Sequence, residues 1–482
     1  MGLPSNFVGN SCFSAVYVQS PPGFSGRTLI RRSSLQRTKI FLFFDYICSL
    51  NPNPFKGVKT MLFNPKVDSQ IRDLEKQEIL RQQTTLSMIP SENCLAEEIM
   101  ELMGNVFNNK YAEGYPGDRY YQGCRFADQV ETLAVERLKQ AFGAEHANVQ
   151  PHSGSGANMA AYFALLNGGD TIMAMDLKQG GHLTHGSKVN FSGKSYQIVH
   201  YSVDPQTEQL DYDQLLQQAL ETKPKMIVTG ATAYPRTIHF DRWRQIADRV
   251  GAYLLADISH IAGLVAAGVH PSPVPCADVV TFTTHKTLAG PRGAVILCKK
   301  EYAAAIDKAV FPGLQGGPLV HIIAAKAALF GALATPEFRN YQTQIVANAK
   351  ALASSLLNLG YRLISGGTDN HLLLMDLRPL NLTGKPVAQA LEDAGIILNF
   401  NTIPFDPKGP KTTSGLRFGT PTLTNRGMGA AEMEQIAALM DRVIRNYQNP
   451  ELLSAVRAEV RELCARFPIY QKTLAKIEAR ES

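Results

Sequence analysis

Residues 277–294 read ADVVTFTTHKTLAGPRGA. The first half is an apolar run (Val279, Val280, Phe282) with the β-branched and aromatic content of a buried strand, and Gly290, Pro291 and Gly293 close the second half into a loop. Lys286 stands where the run meets that loop. Burial strips water from an ammonium and favours the neutral, nucleophilic amine, so a lysine placed here is a candidate for Schiff-base chemistry.

Working outward, residues 252–260, AYLLADISH, read as a second buried parallel strand that ends in Asp257 and His260. Ligand groups in open α/β sheets gather at the carboxyl ends of strands. A carboxylate there serves either as a helix N-cap or as the partner of a protonated pyridine nitrogen. Pyridoxal phosphate (PLP) requires such a partner, because its protonated ring is an electron sink. Residues 151–158, PHSGSGAN, run directly into a helical register of Ala157, Met159, Ala160, Tyr162, Phe163, Leu165 and Leu166. Small residues at a helix start leave N–H groups and hydroxyls free to cradle a phosphate, helped by the helix dipole. Phosphate cradle, aspartate and lysine occur in the order that a PLP enzyme of the aminotransferase type requires.

The surrounding pattern agrees. Between about residues 120 and 334, helices such as 128–142 alternate with short apolar runs: ANVQ, TIMAM, YQIVHY, MIVTGA, YLLAD, VVTFT and AVILC. This alternation predicts an α/β fold with a mostly parallel sheet and helices on both faces. Before it, charged amphipathic helices are expected over 68–78 and 96–107, forming an arm that packs on another part of the molecule. After it come an Ala-rich helix (322–333), a helix over 336–359, and a smaller α/β unit. The expected division is a leader (1–60), an arm (61–120), a large PLP-binding domain (121–334) and a small C-terminal domain (335–482).

The chain has 482 residues and a formal charge of +6, all of it concentrated at the start. Residues 1–60 hold Arg27, Arg31, Arg32, Arg37, Lys39, Lys56 and Lys59 against Asp45, so the remainder is balanced in charge. A neutral body argues against nucleic acid as a partner. The Arg- and Ser-rich leader reads either as an organelle transit peptide or as an over-called start with Met61 as the initiator, the second being favoured. Its IFLFF cluster (40–44) is too short to span a bilayer, so no membrane association is expected. Seven cysteines show no metal-ligand spacing, and no metal is expected; Cys94, Cys124, Cys276, Cys298 and Cys464 read as buried reduced thiols of a cytoplasmic protein.

THKTLAGPRG (284–293), NKYAEGYPGDRYY (109–121), NVQPHSGS (148–155), GGHLTHGSKVNFSG (180–193), DISHIAGLVAAGVHP (257–271), FPGLQGGPL (311–319) and SGGTDNHLLL (365–374) together resemble serine hydroxymethyltransferase in its bacterial form, with matching segments from about Met61 to CARFPIY at 464–470. The resemblance implies a fold type I PLP enzyme of the aminotransferase-like class. It also implies a homodimer with shared active sites, or a tetramer, and a reversible conversion of serine and tetrahydrofolate to glycine and 5,10-methylenetetrahydrofolate.

Residue by residue, the resemblance implies that Lys286 holds PLP as a Schiff base and that His285 helps set specificity. Asp257 pairs with the ring nitrogen, His260 lies near the phenolic oxygen and His182 stacks on the ring. Thr232 and Thr283 add hydroxyl bonds, and Ser153, Gly154 and Ser155 hold the phosphate, with Gly316 and Gly317 reaching the phosphate of the neighbouring subunit. Arg417, assisted by Ser91, binds the substrate carboxylate. Glu113 is the acid/base group, with Tyr111, Tyr120 and Tyr121 lining the site. Folate is implied against Leu177, Gly181, His182 and Leu183, with Asn401 as a polar reader, Tyr120 alongside, and Phe311 of the partner subunit.

Four departures from the family pattern fall on the expected rim of the site: Gln179, Gly156, Gln122 and Lys411. They leave open a folate-independent aldolase of threonine-like substrates, since the same carbanion chemistry serves both. A catalytically silent paralogue that binds RNA or protein is disfavoured by the intact Lys286. Deleting residues 1–60 is expected to leave folding and activity unchanged; an insoluble product in an expression trial would show that the leader belongs to the fold.

Overall fold

The computed structural model describes residues 69–479. The leader, with Cys12, Cys48 and the 40–44 cluster, lies outside the described residues. We number the strands of the two larger sheets in chain order. The first sheet comprises β1 (His146–Asn148), β2 (Thr171–Met175), β3 (Gln197–Tyr201), β4 (Met226–Thr229), β5 (Tyr253–Asp257), β6 (Val279–Thr283) and β7 (Ala294–Cys298). These are the seven apolar runs of the sequence. Their spatial order is β3-β2-β4-β5-β6-β7-β1. β7 runs antiparallel to both β6 and β1, and the remaining pairs are parallel.

The central runs are continuously apolar because both faces of the sheet are covered there, whereas the edge strand β3 leaves Gln197 and His200 exposed. Alternation along each strand sends Met173, Ile227, Leu254, Val280, Phe282 and Val295 into one core. Ile172, Met226, Val228, Leu255, Val279 and Ile296 go into the core on the opposite face. On the first face the helix Phe240–Val250 inserts Trp243, wholly buried, with its ring centroid 4.9 Å from that of Tyr201. On the second, the helix Gly154–Leu165 buries Ala157, Ala160, Ala161 and Tyr162. Small residues there let the helix lie close under the sheet, which brings its N-terminus to the carboxyl ends of the strands.

The smaller sheet has β8 (Arg362–Leu363), β9 (Leu372–Asp376), β10 (Asn399–Asn401) and β11 (Gly415–Gly419) in the antiparallel order β8-β9-β11-β10. The long helix Pro336–Asn358 serves both units: Ile345 and Val346 lie in the core of the large sheet, and Ala349, Leu352 and Leu356 in that of the small one.

The first expected helix is Ser69–Thr84 among the described residues, running further than the pattern indicates, and it packs on the C-terminal segment of its own chain. Gln83 donates to the Ile469 carbonyl at 2.6 Å, and the Arg426 guanidinium gathers the carbonyls of Gln82, Gln83, Thr85, Cys464 and Phe467. The second expected helix ends early, at Met103. Asn105 accepts from the Phe107 amide and starts a separate 3-10 turn, Val106–Asn109, because its short side chain competes with the helix for backbone donors. Cys276 corrects another expectation: it is half-buried, whereas Cys94, Cys124, Cys298 and Cys464 are buried, and all five are free thiols. Among the described residues no helix is long and apolar enough to cross a membrane.

Trp243 is the single tryptophan of the chain. Trp243→Ala is expected to destabilise the fold by about 3–5 kcal/mol through the cavity it leaves. Trp243→Phe should cost far less, since the indole Nε1 has no hydrogen-bond partner among the described residues. Urea midpoints followed by circular dichroism test the order.

Candidate active site

The parallel strands deliver their following loops to one end of the sheet, and a cavity of about 590 Å³ opens there. Its wall is built from the turn after β1 (Ser153, Gly154, Ser155), the segment after β2 (Leu177, Gly181, His182, Leu183, His185), Thr232 after β4, Asp257, Ser259 and His260 at the end of β5, and Thr283, His285, Lys286 and Arg292 after β6. Ser91, Glu92 and Arg417 close it from outside the large sheet.

Lys286 is buried at 9% exposure. Burial pushes its amine down to about 8; the Asp257 carboxylate opposes the shift, and Arg417 and Arg292 add to it. At pH 7 about a tenth is therefore the nucleophilic free base, far more than for an ordinary lysine. Asp257 is equally buried and fully bonded. One oxygen accepts from the Asn158 amide (2.9 Å) and from His185 Nε2 (3.1 Å); the other accepts from the Ser259 hydroxyl (2.6 Å) and backbone N–H (3.1 Å). Burial alone would raise its pKa, but the His185 hydrogen bond and the neighbouring histidine and serine donors outweigh it, so the carboxyl is held well below the usual carboxylate range. His185 Nδ1 accepts from the His182 backbone N–H at 3.3 Å, which leaves the ring hydrogen on Nε2, facing Asp257.

The same loop orients His182. Its Nδ1 meets the Thr184 hydroxyl at 2.7 Å, and burial pushes the imidazole down to about 4, so it is a neutral, flat ring at physiological pH. His185, Asn158, Ser259 and Thr184 were not singled out from the sequence. Asn158 and His185 lie inside the segments quoted above, and the available signal was a polar residue repeated within an otherwise apolar or glycine-rich stretch.

The helix Gly154–Leu165 starts at the cavity, with Ser153 as N-cap accepting from the Gly156 N–H at 3.1 Å. A Cβ on Gly154 would lie 2.7 Å from Thr283 Cγ2, so glycine is what permits the turn to approach β6. First-turn amides and two serines facing a cavity form a phosphate site. The residues present thus fit PLP: a buried amine, an anionic carboxylate and a phosphate cradle around one space large enough for the ring.

Arg417 comes from β11, opposite Leu374 and Asn399. Its Nε donates to Asn399 Oδ1 at 3.0 Å and its Nη1 to the Thr232 carbonyl at 2.8 Å. Burial pushes it down to about 10, and no carboxylate among the described residues pairs with it. A largely desolvated guanidinium held by neutral acceptors is poised for an anionic ligand. His260 Nδ1 lies 3.3 Å from His371 Nε2 in a stacked pair, a link from β5 to the small sheet that sequence spacing did not indicate.

Thr232 does not present its hydroxyl freely: Oγ1 donates to the Gly181 carbonyl at 2.9 Å. Asn401 is absent from the cavity wall, its amide donating to the adjacent Thr402 carbonyl at 2.7 Å; Asn399, two residues earlier, holds Arg417 instead. Gln179 is buried rather than on the rim, and neither it nor Gly156, Gln122 or Lys411 lines the cavity.

A second group stands apart from the cavity. Tyr111 donates to Glu113 at 3.2 Å, Tyr111 and Tyr121 pack at 4.9 Å, and Tyr120 packs on Phe311 at 5.7 Å. Gly316 and Gly317 face the same group: a Cβ on the first would lie 3.1 Å from Glu113 Oε1, and on the second 3.4 Å from the Tyr111 ring. Tyr111 and Tyr120 are 54% and 73% exposed. None of these seven residues lines the cavity of its own chain. Glu113, Tyr111, Tyr120 and Tyr121, expected to line the site, thus lie outside the cavity of their own chain. The tight 111–121 hairpin turns them onto the outer surface, with Gly114 and Tyr115 pairing against Arg119 and Asp118.

With this geometry established, comparison with known families is decisive: the model of the serine hydroxymethyltransferase family matches residues 65–440. The chain belongs to the serine hydroxymethyltransferase family. Membership brings the fold type I architecture and the enzyme class, a PLP-dependent one-carbon transferase acting in serine and glycine interconversion with tetrahydrofolate.

The depressed pKa of Lys286 has a measurable sign. An ordinary lysine is almost wholly protonated until about pH 9, whereas here the free-base fraction rises through pH 8. The rate at which cofactor-free protein captures PLP covalently is expected to climb roughly tenfold per pH unit below 8 and then level off. Stopped-flow absorbance checks this; a rate still climbing at pH 10 would refute it.

Proposed function

We propose that this chain catalyses the reversible transfer of the serine hydroxymethyl carbon to tetrahydrofolate, giving glycine and 5,10-methylenetetrahydrofolate, with PLP held covalently by Lys286. The observation that carries the proposal is the meeting of a buried low-pKa amine, a buried carboxylate and an acid-free guanidinium in one cavity. When bound, PLP supplies an electron sink for the pair released as a bond to the substrate Cα breaks.

The chain's own groups do the rest. Asp257 would pair with the pyridine nitrogen and hold a proton there, and its four donors keep its charge in place. Arg417, with Ser91, binds the substrate carboxylate and so decides which Cα bond stands perpendicular to the ring. His182, His260 and His285 line the cavity that would hold the cofactor: the neutral His182 ring would offer it a flat face, His260 would serve its phenolic oxygen, and His285, pushed down to about 3 by burial, Arg292 and Lys286, would be an uncharged neighbour of the substrate. Ser153, Gly154 and Ser155 take the phosphate, with Thr283 beside them; Thr232 acts through its carbonyl on Arg417. Leu177, Gly181 and Leu183 offer an apolar shelf for the pterin.

Glu113 moves the proton of the hydroxymethyl group, and we assign it, with Tyr111, Tyr120, Tyr121, Phe311, Gly316 and Gly317, to the site of a second copy of the chain. Exposed aromatics beside an acid make an interface rather than a solvated surface. Residues 61–120, 121–334 and 335–482 act as arm, large and small domains in this reading. The working form is a homodimer or a dimer of dimers, of the bacterial type, in the cytoplasm.

Lys286→Ala is expected to abolish covalent cofactor binding and stop turnover; sustained multiple turnovers would remove the assignment. The visible spectrum of the PLP-loaded protein with glycine should gain a strong long-wavelength band on adding tetrahydrofolate. A spectrum indifferent to folate would transfer the assignment to the aldolase reading. Composite sites make a sharper prediction. Neither Lys286→Ala nor Glu113→Gln chains are active alone, but unfolding and refolding them together yields mixed dimers carrying one intact site. Activity should return to about a quarter of the native level, since half the dimers are mixed and each has one good site in two. No recovery would place Glu113 in the site of its own chain.

A further inference from the structure

Ser153, Gly154 and Ser155 present hydroxyls and amides to a phosphate but no cation, although a phosphate monoester is a dianion at neutral pH. Arg417 is tied to Asn399 and Thr232, and neither it, Lys286 nor Arg292 is hydrogen-bonded to the 151–155 segment. Behind that segment lies a cation that the catalytic reading does not use. Lys326, in the helix Val320–Ala332, is 2% exposed and donates to the carbonyls of Val149 (2.8 Å), Ala294 (2.8 Å) and Pro151 (3.2 Å).

Three carbonyls match the three hydrogens of an ammonium, and no carboxylate among the described residues pairs with it. Pro151 lies two residues before Ser153, and its carbonyl also accepts from the Ala294 amide, so the lysine fixes the strand exit from which the cradle hangs. Room for the side chain depends on Gly293: a Cβ there would lie 2.7 Å from Lys326 Cε. The charge reaches the cradle, since burial and then Lys326 push His152 below its ordinary value.

We propose that Lys326 is a positioning residue of the cofactor-phosphate site, holding Pro151 in place with an ammonium group beneath the cradle. The inference rests on the PLP reading above. Its role is confined to the phosphate, because its three bonds go to the cradle strand and the neighbouring β7 and not to the loop that carries Asp257. Burial favours the neutral amine and Glu131, the acid that acts on it, only partly opposes this, so a further anion close by would favour the charged form. In the holoenzyme the phosphate is that anion.

The test uses cofactor-free protein and compares PLP with pyridoxal, which lacks the phosphate. Lys326→Met should weaken PLP binding about tenfold or more while leaving pyridoxal binding unchanged, and Lys326→Arg should retain most of the preference, as expected for loss or retention of charge-assisted bonds. Equal weakening of both ligands in a folded Lys326→Met protein would mean a general structural role and would overturn the proposal. Should that variant not fold, wild-type protein labelled with 15N-lysine decides: saturating inorganic phosphate should raise the titration midpoint of Lys326, and an unmoved midpoint overturns it. Wild-type protein that binds pyridoxal as tightly as PLP would overturn the phosphate cradle itself, a result distinguishable from a normal preference that survives Lys326→Met.

Discussion

A carboxylate buried at the end of a parallel strand survives as an anion only if the protein surrounds it with donors, and the arrangement around Asp257 follows from that requirement. Four hydrogen bonds reach it, from Asn158 on the helix under the sheet, from His185 in the segment after β2, and from the side chain and backbone of Ser259. Each donor is fixed in turn: Asn158 accepts from Thr281 at 2.6 Å, and the His185 tautomer is set by the His182 amide. The parts of the fold that meet at the cavity are thus cross-linked through one charge. Removing a single donor would leave that charge partly uncompensated in a dry layer, which is far costlier than losing an ordinary surface bond.

Three buried cations complement this anion in different ways. Lys286 is destabilised as an ammonium and so is available as an amine. Arg417, whose intrinsic basicity is much higher, stays charged despite burial and is braced by neutral oxygens, which leaves its charge for a ligand. Lys326, pushed down to about 7 by burial, is held by carbonyls alone. The same physical cost of desolvation thus acts on all three, and how far each keeps its charge depends on its intrinsic basicity and on the partners it is given.

The outward group around Glu113 follows a different logic. Its aromatic rings are in contact with one another but not with the cavity of their own chain, and glycines at 316 and 317 leave the acid and the Tyr111 ring uncrowded. The exposure of this surface and its place outside the cavity wall support the proposal that a second copy of the chain covers it.

Much of this was legible in the chain itself. The seven runs became the seven strands, most plainly the central ones, because strands buried on both faces need unbroken apolar sequence, and Asp257, Lys286 and Ser153 fell at strand ends and a helix start, where backbone geometry aims them at a common space. What the sequence could not convey was which polar groups meet across long separations. Asn399 rather than Asn401 braces Arg417, and this depends on the register of β10 against β11. His371 meets His260 because the small sheet closes on the large one, and Gln179 turns inward although its loop is glycine-rich. Local pattern determines where a side chain leaves the backbone, whereas hydrogen-bond partners and desolvation are properties of the packed chain and were decided only in the tertiary structure.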